Sequence, residues 1–174
     1  MTMDIRLARV DSRLLHGQVA TFWTRYVKPN RIMVVSDTVA KDNLRKTLIT
    51  QVAPPGVRAN VVSVNKMIRA YFDARFDSFN TLLLTENVKD MLRLAEGGVD
   101  FSKIGINVGS IAYEDGMTMI TDAVAMNDDI AKQIQTLTND FHLEVTAQKI
   151  PADKIINLVN LIKKKNFKVY YKVK

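Results

Sequence analysis

The sequence predicts an α/β fold, an open and mainly parallel sheet of about six to seven strands with helices on both faces. Apolar runs of strand length, such as residues 32–35 and 81–84, alternate with segments whose apolar residues recur at helical spacing. Those runs are apolar at nearly every position, as expected of strands covered on both sides. Strand–helix units repeated along one chain are the signature of a parallel sheet with crossover helices. The chain of 174 residues is the size of one domain, and 47% hydrophobic with 25% charged residues is ordinary for a domain with its own core.

Residues 5–10 have strand composition and run into the polar cluster Asp11-Ser12-Arg13. From His16 the period changes: Val19, Phe22, Trp23 and Tyr26 form one helical stripe, which Pro29-Asn30 closes. Residues 31–35 form the next strand. Ser36-Asp37-Thr38 offers N-cap chemistry to a helix carrying Ala40, Leu44 and Leu48, and Pro54-Pro55-Gly56 stops it. A strand at 58–64 and a helix at 66–73 repeat the unit. Residues 81–84 are a short buried strand, followed by a helix at 87–96 that Gly97-Gly98 ends. Another strand, 103–108, leads into Gly109-Ser110. Within 111–126 only a turn at Glu114-Asp115-Gly116 is legible. A helix is expected at 128–138, a strand at 142–147, and a helix at 151–164 with Pro151 in its first turn. Residues 167–173 alternate Phe, Val and Tyr with Lys, the pattern of an edge strand. Residues 1–162 are read as the globular domain and 163–174 as a lysine-rich C-terminal tail.

The net charge of +7 raises the question of a nucleic-acid partner. The distribution argues against one. Nearly all the excess belongs to Lys163, Lys164, Lys165, Lys168, Lys172 and Lys174, and the body is close to neutral. No apolar run approaches the ~20 residues of a membrane helix. The start, Met1-Thr2-Met3-Asp4-Ile5-Arg6, lacks the charged-then-apolar layout of a signal peptide. With no cysteine, disulfides, thiolate nucleophiles and Cys-ligated metal centres are excluded. His16 and His142 are the only imidazoles, so a histidine-rich metal centre is excluded too.

In open parallel sheets, ligands bind beyond the carboxyl ends of strands, near the point where strand order reverses. That rule selects the loops at 11–16, 36–38, 85–87 and 109–112. The first carries most chemistry. It sets Asp11, Arg13 and His16 between a strand and a helix start, where free amide N–H groups and the helix dipole favour an anion. The dipole disfavours a cationic ring there, and a neutral imidazole with a free nitrogen is a nucleophile. Gly17 lets a tetrahedral group approach the backbone, and Arg13 offers planar donors suited to phosphate oxygens. These parts describe a histidine that takes a phosphoryl group on nitrogen. The competing reading of His16 is a helix cap. Asp11 either orients Arg13 or simply pairs with it.

The stretch Arg9-Val-Asp-Ser-Arg-Leu-Leu-His-Gly-Gln-Val-Ala-Thr21, then Trp23 and Arg31-Ile-Met-Val-Val-Ser-Asp-Thr-Val-Ala-Lys-Asp42, closely resembles enzyme IIB of the bacterial sugar phosphotransferase system, in its mannose/fructose/sorbose family. Ala53-Pro-Pro-Gly56, Gly105-Ile-Asn-Val-Gly109 and Asp153-Lys154 are similar to that family as well, and the resemblance covers roughly residues 4–162. It implies an open, mainly parallel α/β sheet. It implies that His16 is phosphorylated on Nδ1 by the phosphohistidine of enzyme IIA and passes the group to an incoming sugar, with Arg13 as the family arginine. Implied partners are enzyme IIA and the membrane permease subunits IIC and IID. Implied location is the cytoplasm, at the inner face of the membrane through the permease. The implied activity is that of a phosphotransferase of the protein-phosphohistidine–sugar type, without cofactor or metal. Asp11, Gly17, Gln18, Ser36, Asp37, Gly109 and Ser110 are candidates to bind phosphate or shape the loop, with helix capping as the competing role of Ser36 and Asp37.

Two departures stand out. Members often carry a second Gly and a His after the Gly-Ile-Asn-Val-Gly strand, where this chain has Gly109-Ser110-Ile111-Ala112. The lysine-rich tail also runs past the usual end. His142, expected to open a strand, is read as structural, Phe22 and Trp23 as core or interface, and the eight methionines as core filler. Two other classes of function are a regulatory module whose phosphorylation a partner reads, and a nucleic-acid-binding module using the tail. The sugar and the oligomeric state, including a homo-oligomer, are left open by the sequence.

Overall fold

The computed structural model describes residues 2–167. Nine strands form: β1 Asp4–Asp11, β2 Arg31–Val35, β3 Arg58–Val62, β4 Asn80–Thr85, β5 Ile106–Ser110, β6 Thr118–Met119, β7 Ala125–Met126, β8 Val145–Ala147 and β9 Ile156–Asn157. The helices are α1 Thr24–Val27, α2 Asp37–Ala40, α3 Asn43–Thr50, α4 Val64–Tyr71, α5 Val88–Glu96, α6 Asp128–Asn139 and α7 Leu158–Lys164. A π-helical segment, Val19–Trp23, runs directly into α1, so residues 17–27 are one continuous helical stretch.

Seven strands make the main sheet in the order β3-β2-β4-β1-β5-β8-β9, parallel throughout except for β9 against β8. This is the α/β architecture read from the sequence. β6 and β7 form a separate two-stranded ribbon inside the segment 111–126. Strand alternation splits the core between two faces. Ile32, Val34, Leu82 and Leu84 pack against Val19, Trp23 and Val39 on one face. Met33, Val35, Leu83 and Val108 pack against Met67, Met91, Ile134 and Leu158 on the other. The chain leaves β1 toward β2 on one side and leaves β5 toward β8 on the other. Strand order therefore reverses between β1 and β5, and the loop of residues 11–16 stands at that point.

Several boundaries differ from the sequence reading, each for a local reason. The helix expected through Ala40, Leu44 and Leu48 is two, because Asp42 is extended and its carboxylate accepts from the Arg45 amide to start α3 anew. β3 stops at Val62 because Ser63 caps α4 through the Lys66 amide. The helix expected at 151–164 begins only at Leu158. Asn157 caps it, and the residues before form a turn and the antiparallel edge strand β9. His142 does not open a strand: it sits exposed just after the turn at 140–141 with φ +56, and β8 starts at Val145. α7 continues past residue 162 to Lys164, and Phe167 packs against the core. The edge strand expected at 167–173 falls, beyond Phe167, outside the described residues.

Candidate functional site

The end of β1 sets up the site. Its alternation turns Ala8 and Val10 into one core, so Arg9 and Asp11 face the other side. Both are buried, at 1% and 0% exposure, an unusual place for charge in a strand otherwise apolar. They pair through Arg9 Nη2 and Asp11 Oδ2 at 3.2 Å. The other N–H groups on the two Nη atoms of Arg9 reach Asn107 Oδ1 on β5 at 2.5 Å and the carbonyls of Gln148 and Lys149 at 2.8 and 3.0 Å, while the buried Nε meets no acceptor among the described residues. Its guanidinium lies 4.9 Å from the centre of the Trp23 ring, whose Nε1 donates to the same Lys149 carbonyl at 2.8 Å. Arg9 thus ties β1, β5, the helical stretch 17–27 and the loop after β8 into one unit. Sequence reasoning missed this role. The available signal was an arginine inside a strand whose neighbours are apolar.

After β1 the chain reverses sharply. Asp11 Oδ1 accepts from the Arg13 amide at 3.1 Å, and the Leu14 amide donates to the Asp11 carbonyl at 2.8 Å. Leu14 then takes φ +56, a conformation that costs a branched residue of order 1–3 kcal/mol. Burial of Leu14 and Leu15, at 1% and 3% exposure, holds it there. The reversal brings His16 back over Asp11, with Nε2 2.9 Å from Oδ2. His16 is also the N-cap residue, since its carbonyl accepts from the Ala20 amide at 2.9 Å. The backbone of His16 thus caps the helix, and its ring stands beside the helix start. Gly17 and Gln18 occupy the first turn, where amides have no intrahelical acceptor.

Electrostatics decide how the ring is held. Burial raises the Asp11 carboxyl, but the hydrogen bond from His16 and the charge of Arg9 outweigh it, leaving Asp11 below its ordinary value. At neutral pH Asp11 is therefore ionised and can only accept. In the neutral ring the proton of the His16–Asp11 hydrogen bond then sits on Nε2 and the lone pair on Nδ1. Burial likewise lowers Arg9, which Asp11 partly restores, and a guanidinium so lowered stays charged.

The other sequence candidates divide. Ser110 joins the site, with Oγ donating to Asp11 Oδ1 at 2.9 Å and lying 3.1 Å from Ser12 Oγ. Arg13 is on its rim, 60% exposed, with Nε 3.9 Å from Asp11 Oδ1 and Nη2 3.4 Å from Gln18 Oε1. Asp11 both pairs with Arg13 and holds His16, a role outside the two readings above. Gly109 serves the site indirectly, because a Cβ there would overlap the Arg9 guanidinium. The cleft of about 260 Å³ that Gly109 does line is bounded by Asp122, Gln148, Lys149 and Asp153, and contains neither His16 nor Arg13. Ser36 and Asp37 are committed elsewhere. Ser36 Oγ accepts from the Val39 amide at 3.2 Å, while Asp37 accepts from the Val64 amide at 2.9 Å and from Arg93 at 2.8 Å. β2 is also two strands from β1, roughly 10 Å away. Their capping role is the one observed.

An open parallel sheet with a buried Arg–Asp pair holding a loop histidine at its switch point defines a doubly wound α/β protein. The chain belongs to the family described as PTS system sorbose subfamily IIB component, whose sequence model matches residues 5–172. It is 44% identical over 162 residues to the mannose-specific EIIAB component of Escherichia coli, covering 93% of this chain and 49% of that protein. It is 37% identical to the fructose-specific EIIB component of Bacillus subtilis, covering 92% and 97%. The chain therefore spans about half the length of the two-part relatives it matches and nearly all of the single IIB component. Among solved structures, the IIB domain of the sorbose permease from Klebsiella pneumoniae superposes with a TM-score of 0.89 at 31% identity, covering 95% of this chain and 99% of that one.

Proposed function

We propose that this chain is a phosphocarrier of a sugar phosphotransferase system, in which His16 accepts a phosphoryl group on Nδ1 and passes it to a sugar. The donor is the phosphohistidine of a IIA protein, and the sugar is held by membrane permease subunits of the IIC and IID type. The chain itself works in the cytoplasm, at the membrane's inner face. Family membership and relatives named for mannose, fructose and sorbose support the class of reaction. The observation that supports the residue assignment is the 2.9 Å approach of His16 Nε2 to the ionised Asp11, which in the neutral ring leaves the lone pair on Nδ1.

In the first step His16 Nδ1 forms an N–P bond as the donor's N–P bond breaks, and the electron pair of that bond returns to the donor ring. The His16 ring, already carrying a proton on Nε2, becomes cationic, and Asp11 faces that charge. Arg13 and the amides of Gly17 and Gln18 meet the phosphoryl oxygens from the other side. In the second step the sugar hydroxyl forms an O–P bond as the His16 N–P bond breaks. The ring returns to its neutral, Nε2-protonated form, and the hydroxyl proton leaves to a base supplied with the sugar. None of the described helices is long and apolar enough to cross a membrane.

The test is phosphorylation with labelled phosphoenolpyruvate and the upstream carriers. The expected product is an acid-labile, base-stable phosphoprotein, lost in His16→Gln and retained in His142→Gln. Equal labelling of His16→Gln contradicts the assignment. Reconstitution with IIA, IIC and IID, read as accumulation of sugar phosphate, separates carriage to sugar from a purely regulatory phosphorylation.

A further inference from the structure

A cation-lined cavity lies against β2, β3 and α4, apart from His16. It holds about 580 Å³ and opens between Arg31 and Met33 of β2, Asn60 and Val62 of β3, the helix α4 and the turn of residues 74–76. Its walls mix apolar groups, chiefly Phe76 and Phe79, with the cations Arg31, Lys66, Arg69 and Arg75. Asp73 is the one carboxylate in the lining, and Arg75 takes up both of its oxygens. Arg31 stands directly across the strand pair from Arg58, a like-charge pairing that strands avoid. No acid relieves that pair: Arg31 spends Nη1 on Asn60 Oδ1 at 3.2 Å and stacks on Phe79 at 4.1 Å, and its buried Nε meets no acceptor among the described residues. Burial and the charge of Arg58 both weigh on its guanidinium.

These features are unlike the rest of the body. Outside the tail the chain is close to neutral, so four lining cations against one carboxylate that Arg75 already pairs is a local concentration, and what is left of the body is acidic. The cations also arrive from three elements, the sheet, α4 and the turn, and so converge on a volume rather than line a flat face. Convergent donors suit a tetrahedral dianion better than a planar monoanion. The apolar wall and the volume suit a ring attached to that anion.

We propose that this cavity binds a small phosphomonoester, its phosphate held among Arg31, Lys66 and Arg69 and its ring lying against Phe76 and Phe79. The site is distinct from the phosphotransfer centre, since none of its lining residues belongs to the His16 cluster. A sugar phosphate and a nucleoside monophosphate share this chemistry, and the experiment distinguishes them.

Isothermal titration of the whole protein with mannose 6-phosphate, adenosine monophosphate and inorganic phosphate provides the test, repeated on His16→Asn and on Lys66→Ala/Arg69→Ala, with circular dichroism confirming the fold of each. One of the two organic phosphates should bind at least about tenfold more tightly than inorganic phosphate, and His16→Asn should bind it unchanged. Loss of two charged donors should weaken it by tenfold or more. Amide shifts in a ¹⁵N spectrum should cluster on residues 58–79. The proposal is overturned if neither ester binds, if inorganic phosphate binds equally well, if His16→Asn abolishes binding, or if the folded double variant binds as wild type.

Discussion

At the residue scale, one carboxylate organises the site. Asp11 receives Arg9, Arg13, Ser110 and His16 on its two oxygens, so its charge fixes both the turn and the ring. Asp11→Asn keeps the shape but presents an amide N–H to Nε2, which moves the ring proton to Nδ1. Phosphotransfer should fall by roughly 10²–10⁴, and the imidazole nitrogens should show the exchanged tautomer by NMR. Unchanged kinetics would leave Asp11 a purely structural residue. Its depressed carboxyl also has a consequence for stability. A carboxyl lower in the folded than the unfolded state stabilises the fold above its unfolded value and loses that contribution as pH falls through the folded one. Acid unfolding of the wild type should therefore carry a component in the window below about 3.8 that Asp11→Asn lacks. Arg13, exposed and loosely held, should tolerate Arg13→Lys with no loss of fold but transfer phosphate ~10²–10³ more slowly. Wild-type rates in that variant would make it a bystander.

At the element scale, the reversal after β1 depends on neighbours far away in sequence. Arg9 reaches its carbonyl acceptors on residues 148 and 149 only because Gly109 on β5 leaves room for it. Gly109→Ala should destabilise the protein by about 1–3 kcal/mol, the usual range for overpacking a tight interior. It should also slow phosphotransfer by disturbing Asp11, and a denaturation midpoint equal to wild type would refute that dependence. This is also where sequence reading ran out. The strands and the loop at 11–16 were legible, because apolar runs and a strand-to-helix change of period are local signals. Arg9 was not, since its partners on Asn107, Gln148 and Lys149 are about a hundred residues or more away and only the sheet brings them together. Ser36 and Asp37 sat in the right kind of loop but on the wrong strand, because strand order is not local information. Caps at Asp42, Ser63 and Asn157 were present in the sequence, yet competing apolar periodicity ran across them.

At the scale of the whole molecule, charge is separated from chemistry. The loop that carries His16 is at the switch point between β1 and β5, while the lysine-rich tail follows α7 in sequence. Six lysines beside an anionic membrane surface would each contribute about 1 kcal/mol. Because Ile162 and Phe167 pack into the core, a truncation that spares it begins after Phe167 and removes Lys168, Lys172 and Lys174. That truncation should leave phosphorylation of His16 by soluble IIA intact and weaken, in a salt-sensitive way, coupling to membranes carrying the permease. Loss of His16 phosphorylation in the folded truncation would mean that the tail helps form the donor-binding surface.

The central claim, that Asp11 holds His16 so that Nδ1 is the nucleophile, is tested most directly by correlating imidazole protons with ring ¹⁵N nuclei before and after phosphorylation. The account predicts a His16 ring protonated on Nε2 in the free protein and bearing phosphorus on Nδ1 after transfer, with His142 unchanged. Phosphorus on Nε2 of His16, or on His142, would contradict it.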